Sequence, residues 1–454
     1  MSTARDLFAG LPHRRAFSLA WPAILSNISV PLVGLVDTAM LGHFSDELNL
    51  GAVALGATVL GAVYWLLSFL RTGTTSLVGR ALGGGHNDAA ITHAQRAALL
   101  AILLGVVVVV VQAPVVPWVM DFLTPAGEVG AVASDYTSIR LLSAPAVLLT
   151  LVVTGWFIGA GDTKRPLATV AVVATINIVL DAIFVAGFGW GARGAATATV
   201  IAEWSGLLVA LWLWWRMANA SSRASVTRLR GRGLRNGWMK LMGMNRDIFL
   251  RTLILYGVIT FVTAYGSHIS PTVLAANAIL MQLMYLASYG QDGYAAAAES
   301  MAAREIGDRN VPAFHRAVAA ATLPALGIGA VFTVAYLLAG PAFIAVLTSL
   351  PDVTDAALAA LPWVAVLPLA SAGAYLFDGI FLGSGKMKWM VAGMAVSALF
   401  FALAWWLGAT TDDPNGNLWR AFVIFNFARG ATLAIAYWIQ TKRRTWLEGT
   451  HVHV

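Results

Sequence analysis

Two carboxylates interrupt apolar stretches of this 454-residue chain. Asp37 lies in Ser29-Val-Pro-Leu-Val-Gly-Leu-Val-Asp-Thr-Ala-Met-Leu41, and Asp181 in Asn177-Ile-Val-Leu-Asp-Ala-Ile-Phe184. A charged side chain at bilayer depth is expensive, and where one is retained it marks an ion or proton path. Asn177 and Asp181 are four residues apart and so share one helix face. A carboxamide beside a carboxylate joins a titratable group to a neutral donor and acceptor. Thr199, in the next apolar segment, is within reach of the same cluster. If Asp37 and Asp181 face one another, they can load and release a proton. With the oxygens of Asn177 and Thr199 they also form a hard donor set suited to Na+. Pro22 and Pro31 precede Asp37 in its own segment. Proline removes a backbone hydrogen bond and bends a helix, so both are candidate hinges coupling cation binding to bending of the first helix.

The C-terminal half offers a different set: Asn277, Gln282, Asp292, Glu299 and Asp378 as cleft or substrate contacts, with Asp378 the most deeply embedded acid. Arg429 is a candidate ion-pair partner for one of these acids. Arg71 and Arg140 are intramembrane bases whose partners are not evident in the sequence.

The elements that must position these residues follow from composition. The chain is 59% hydrophobic and only 11% charged, against about 25% charged for a soluble domain. Its mean hydropathy is +0.75. Long apolar runs recur from end to end, which predicts an all-α integral membrane protein. Twelve spans are expected near 17–42, 51–79, 97–120, 136–160, 166–189, 194–217, 247–267, 272–303, 317–347, 358–384, 389–408 and 417–440. Gaps rich in Asp and Glu alternate with gaps rich in Lys and Arg, which puts both termini in the cytoplasm. The net charge of +7 is explained by those basic gaps, so nucleic-acid binding is not expected. There is no cysteine, which excludes disulfide and thiol chemistry.

A fixed offset of 224 residues lays Gly42 on Gly266, Gly83 on Gly307, Gly105 on Gly329, Gly155 on Gly379, Gly159 on Gly383, Gly161 on Gly385 and Gly206 on Gly430. The clearest local match is Gly155-Trp-Phe-Ile-Gly-Ala-Gly-Asp-Thr-Lys164 with Gly379-Ile-Phe-Leu-Gly-Ser-Gly-Lys-Met-Lys388. The expected organisation is an N-lobe of six helices at 1–216, a basic cytoplasmic linker at 217–246, and a C-lobe of six helices with a short tail at 247–454. Six spans per half is an even number, so the repeats are parallel, related by an axis along the membrane normal. Two such bundles enclosing a cleft suit alternating access. The acids are not duplicated: Asp37 falls on Phe261 and Asp181 on Trp405, so the coupling site is confined to the N-lobe.

Trp21-Pro-Ala-Ile-Leu-Ser-Asn-Ile-Ser-Val-Pro-Leu-Val-Gly-Leu-Val-Asp-Thr-Ala-Met-Leu-Gly-His43 resembles the first helix of the multidrug and toxic compound extrusion (MATE) transporters, above all their DinF-like branch. Arg71-Thr-Gly-Thr-Thr75, Gly155-Trp-Phe-Ile-Gly-Ala-Gly-Asp-Thr-Lys-Arg-Pro166, Asn177-Ile-Val-Leu-Asp181 and Asp292-Gly-Tyr-Ala-Ala-Ala-Ala-Glu299 extend the resemblance over nearly the whole chain. It implies a twelve-helix, two-lobe antiporter of a prokaryotic inner membrane, exporting organic compounds against inward H+ or Na+ flow. It further implies a cation site at Asp37, Asn177, Asp181 and Thr199, and a first helix that bends at its proline. The expected partners are small, often cationic organic molecules and membrane lipids, with a monomer sufficient and no cofactor. A lipid-linked glycan or lipid flippase is the rival, but it calls for a basic cleft. An enzyme is not expected, since the eight histidines, His13, His43, His86, His93, His268, His315, His451 and His453, form no metal spacing inside a helix.

Overall fold

An apolar solvent satisfies no backbone group, so a chain of this composition must close its hydrogen bonds within each segment. The computed structural model, which describes residues 11–123, 128–218 and 238–448, does this with helices. Fourteen α-helices occur among the described residues: α1 His13–Phe44, α2 Glu47–Leu67, α3 Phe69–Gly83, α4 Asn87–Leu123, α5 Glu128–Leu141, α6 Ala144–Gly159, α7 Lys164–Asp181, α8 Gly191–Met217, α9 Trp238–Ile269, α10 Pro271–Gly307, α11 Val311–Leu347, α12 Pro351–Ser384, α13 Met387–Leu407 and α14 Pro414–Arg443. Among the described residues ten segments are long and apolar enough to cross a membrane, α2 with α3 counting as one, and the bent pair α5 with α6 makes eleven; α1 is the twelfth.

Local chemistry sets the helix ends. Asp46, Ser270, Asn310 and Asp413 each accept a hydrogen bond from the backbone amide three residues on, which caps α2, α10, α11 and α14. Pro271, Pro351 and Pro414 open their helices, where a missing N–H costs nothing. Pro145 stands at the start of α6, and α5 and α6 meet there at 49°.

Burial is inverted relative to a soluble protein. Leu338 and Val346 are 80% and 85% exposed, whereas Asn177, Asp181 and Asn277 are fully buried. That distribution is stable only where the surroundings are hydrocarbon, so this is an all-α integral membrane protein of twelve transmembrane helices.

The described chain divides into two compact units. One runs from Leu25 to Leu241, with a core that includes Leu41, Leu60, Tyr136 and Ala195. The other takes the chain up to Ile24 and from Met242 onward, with a core around Tyr336, Trp419, Phe422 and Phe425. The start of α1 therefore groups with the C-terminal helices. His13 meets the Ala320 carbonyl at 3.2 Å, Arg15 lies 3.5 Å from Glu305, and Ile24 packs on Gly293, where a Cβ would come within 2.2 Å. Of the segment expected to be the basic linker, residues 219–237 lie outside the described residues, and the remainder from Trp238 is already α9.

The repeat is legible in the backbone. A Cβ on Gly155 would strike the Arg71 carbonyl at 2.5 Å, and one on Gly379 the Ala295 carbonyl at 2.2 Å. Gly159 abuts Thr75 and Gly79, while Gly383 abuts Glu299 and Ala303. Each contact in one half is its counterpart in the other shifted by 224. Left-handed residues recur at the same offset, Gly85 with Arg309 and Gly161 with Gly385.

Candidate functional site

The α7–α8 hairpin builds one wall of the site. α7 ends at Asp181 and runs on as a π-helical turn, Ala182–Gly187. Such wide turns inside helices recur at functional positions because they re-aim the neighbouring side chains. Gly189 and Gly191 take positive φ (67° and 54°) to reverse the chain, and Phe184 stacks on Trp190 with ring centroids 5.1 Å apart. Buried Ala195, Ala196, Ala198 and Ala202 let α8 approach closely. In the resulting register Asn177 donates through Nδ2 to the Thr199 hydroxyl at 3.1 Å, and that hydroxyl donates to the Ala195 carbonyl at 2.9 Å.

Asp37 of α1 completes the cluster. Its carboxyl faces Asp181, Asn177 and Thr199, and the Arg140 guanidinium is near enough to act on it by charge. Asp37, Asn177, Asp181 and Thr199 are at most 5% exposed. Asp37 Oδ1, both Asp181 oxygens and Asn177 Oδ1 have no hydrogen-bond partner. Unsatisfied acceptors in a dry interior are costly, and a small hard cation is the species that relieves all of them together. Among the described residues no group of three His, Cys, Asp or Glu could hold a metal ion, so a transition-metal centre does not fit. The oxygen set fits a proton or Na+.

Arg140, whose partner is not evident in the sequence, has one here: its guanidinium lies 3.2 Å from Glu203 of α8. The Ser143 hydroxyl, fully buried at the α5–α6 break, lies between the Glu203 carboxylate and the Arg140 carbonyl (2.7 Å), two acceptors that share its one proton. Tyr64 and Tyr136 flank the pair. Sequence reasoning passed over Glu203. The available signal was its place four residues beyond Thr199, on the same face of α8.

α1 stays helical through both Pro22 and Pro31. Pro22 is buried two residues before the Ile24–Leu25 division. The Pro31 side chain lies outside the described residues.

In the C-terminal unit the polar residues are engaged. Asp378 is held by Arg429 at 2.8 Å and by Arg251, and Arg429 also donates to Asn426 at 2.8 Å. Arg251 lies inside α9 and is spent on this pair. Asn277 donates to Asn415 at 2.9 Å and accepts from the Trp419 indole at 2.8 Å. Gln291 donates to the Pro368 carbonyl at 2.5 Å and accepts from Ser371 at 2.9 Å. Glu299 is buried, whereas Gln282 and Asp292 are exposed.

Outside the spans, Asp46 accepts from the Asn49 backbone amide at 2.8 Å and from its side chain at 2.7 Å, and these bonds hold its carboxyl below the usual range. Asn49 Oδ1 in turn accepts from the Ala192 amide at 2.8 Å, which ties the start of α2 to the start of α8.

The MatE family model matches residues 22–183 and again residues 248–406, once in each half of the chain. DNA damage-inducible protein F of Escherichia coli (strain K12) is 36% identical over 440 residues, spanning 95% of this chain and 92% of its own. Protein DETOXIFICATION 44, chloroplastic, of Arabidopsis thaliana is 26% identical over 444 residues, 94% of this chain and 82% of its own. Among solved structures, one described as the outward-facing conformation of a multidrug resistance MATE family transporter of the MOP superfamily shares the fold with a TM-score of 0.83 at 21% identity, over 99% of both chains. MATE transporters use ion gradients to move small organic substrates. The chain belongs to the MatE family and is a membrane transporter rather than an enzyme.

Proposed function

We propose that this protein is a secondary active multidrug efflux antiporter, exporting amphipathic and often cationic organic compounds in exchange for protons or sodium by alternating access. The observation that carries the reading is the pair of buried carboxylates, Asp37 and Asp181, turned toward one another with Asn177 and Thr199 inside apolar helices. Arg140 is engaged by Glu203, so the cluster holds more negative charge than its own residues neutralise. A bound proton or Na+ reduces that excess. To drive transport the cation must bind the two access states with different affinity. Pro22 is the hinge on the described part of α1, and Pro31 a second. Of the C-lobe candidates, Gln282 and Asp292 are exposed and are assigned to the substrate path, whereas Asn277, Glu299 and Asp378 are buried. The chain works as a monomer of two lobes, 1–216 and 247–454, in a bacterial inner membrane with both termini in the cytoplasm. The relatives' names support efflux as the direction of transport.

The test is reconstitution of the full chain in liposomes and efflux of a fluorescent cationic dye. The expected result is dye movement under a pH gradient, lost in Asp37→Asn and in Asp181→Asn. Movement under a sodium gradient alone keeps the antiporter and changes the ion. No movement under either gradient, or full coupling in both variants, overturns the reading.

A further inference from the structure

Arg140 has unused capacity where the aspartates have unmet need. Its Nη1 makes the 3.2 Å ion pair with Glu203, but its Nε is buried and has no hydrogen-bond partner. Asp37 Oδ1 and both Asp181 oxygens are likewise unpartnered. The guanidinium already acts by charge on both aspartates. It also stands beside the break in its span: Arg140 is the penultimate residue of α5, and Leu142 and Ser143 separate α5 from α6. The bend of 49° leaves this end of α5 without the next helical turn, which would otherwise fix its side chains. The groups around Arg140 are Glu203 from α8, Tyr64 from α2, Tyr136 from its own helix, Asp37 from α1 and Asp181 from α7.

We propose that Arg140 is a tethered counter-cation for the transport site, and that Glu203 sets how much of its charge Asp37 and Asp181 receive. The inference rests on the antiporter reading. When a transported cation occupies the aspartates, the guanidinium stays on Glu203. When the cation leaves, the uncompensated carboxylates draw the guanidinium toward Asp37, so the site avoids holding two bare charges in a dry interior. The transported cation and Arg140 thus compete for the same oxygens. Glu203 strengthens cation binding by keeping the competitor away. Glu203 and Arg140 are positioning residues, because they act on the cation only through the aspartates. Ser143 supports the resting arrangement by donating to the Glu203 carboxylate.

The measurement is the cation concentration that half-saturates dye efflux by the full chain in liposomes, with the proton and sodium gradients run separately. Glu203→Gln leaves Arg140 free to neutralise Asp37, and the half-saturating concentration rises at least about tenfold, inside the roughly five- to 150-fold range usual for coupled sites. Arg140→Gln lowers it. The double variant follows Arg140→Gln, since Glu203 has nothing left to restrain. Glu203→Asp keeps the charge and stays close to the parent, and it serves as the folding control alongside a monodisperse elution profile. A half-saturating concentration within about twofold of the parent in Glu203→Gln overturns the proposal, as does a Glu203→Gln shift of equal size with and without Arg140. If Asp37→Asn abolishes coupling while these variants change nothing, this inference alone is wrong. If Asp37→Asn and Asp181→Asn both leave coupling intact, both readings are wrong.

Discussion

Asn177 donates its side-chain amide to the Thr199 hydroxyl across 3.1 Å, joining α7 to α8 beside Asp181. Both residues are buried, so neither can turn to water if the bond is lost. Thr199→Val keeps the shape and deletes the acceptor, which should cost about 1–3 kcal/mol of stability. Thr199→Ser should cost less. Cation coupling should fall in the valine variant and be retained in the serine variant. Thermal unfolding in detergent and dye efflux from liposomes, measured on the same preparations, check the pair.

Asn277 is predicted to act as a structural lock in the C-terminal unit. It bridges Asn415 and the Trp419 indole, and both it and Trp419 are fully buried. Asn277→Leu removes the acceptor and strands a buried N–H, a loss of about 1–3 kcal/mol. Trp419→Phe, which removes that donor, should partly offset the defect in the double variant. Unfolding midpoints of the two single variants and the double form a thermodynamic cycle that reads the coupling directly.

Glycine positions divide by what a methyl group would meet. A Cβ on Gly379 would lie 2.2 Å from the Ala295 carbonyl oxygen, with two more backbone atoms of Ala295 within 3.1 Å. Backbone cannot yield cheaply, so Gly379→Ala should destabilise by about 1–3 kcal/mol, and Gly155→Ala should do the same in the other half. Gly327 of α11 has nothing within 4 Å. There the substitution should stabilise by roughly 0.5–1 kcal/mol, because alanine loses less backbone freedom on folding. Opposite signs at Gly379 and Gly327 are the expected result in thermal unfolding.

Much of this was readable before any coordinates. Apolar runs broken by gaps of alternating charge gave twelve crossings, because a bilayer permits few other solutions. Asp37 and Asp181 stood out because acids are rare in such runs, and the glycine offset survived because close helix contacts tolerate no side chain. Pairings made in space rather than along the chain were not readable. Glu203 sits one residue before Trp204 within a span, and nothing local points from it to Arg140, sixty-three positions upstream. Arg251 falls inside the seventh expected span, and nothing along the chain pairs it with Asp378, 127 positions downstream. The break at Ser143 and the π turn after Asp181 depend on packing that hydrophobic periodicity does not encode.

The Asp46 cap should be indifferent to pH over the range in which coupling is measured. Its carboxyl titrates below the ordinary aspartate range because the ionised form accepts two bonds from Asn49. A depressed folded value means the contribution is present above the unfolded value, about 3.9, and is lost only as the pH falls through the folded value. Amide exchange at Asn49 and Ala192, corrected for its intrinsic pH dependence, should therefore show constant protection from about pH 5 to 8, well above that window. Asp46→Ala should raise exchange at both amides at every pH, since Asn49 loses the partner that orients its side chain toward Ala192.

Asp378 is shared by two guanidinium groups, and the three positions should differ in cost. Removing the carboxylate in Asp378→Asn leaves Arg251 and Arg429 facing one another without a counter-charge, and breaking a buried pair in this way costs about 3–5 kcal/mol. Removing one arginine leaves Asp378 paired with the other, so each single loss should be smaller. Arg429 is 97% buried by side chain (3% exposed) and also holds Asn426, whereas the Arg251 side chain is 13% exposed and holds only Asp378 among its described ion pairs. The expected order of destabilisation is therefore Asp378→Asn, then Arg429→Gln, then Arg251→Gln. An Asp378→Asn variant that unfolds with the parent would mean that the carboxylate is not what holds α9, α12 and α14 together. Its role would then lie in transport, and dye efflux by the same preparation would show the loss that unfolding did not.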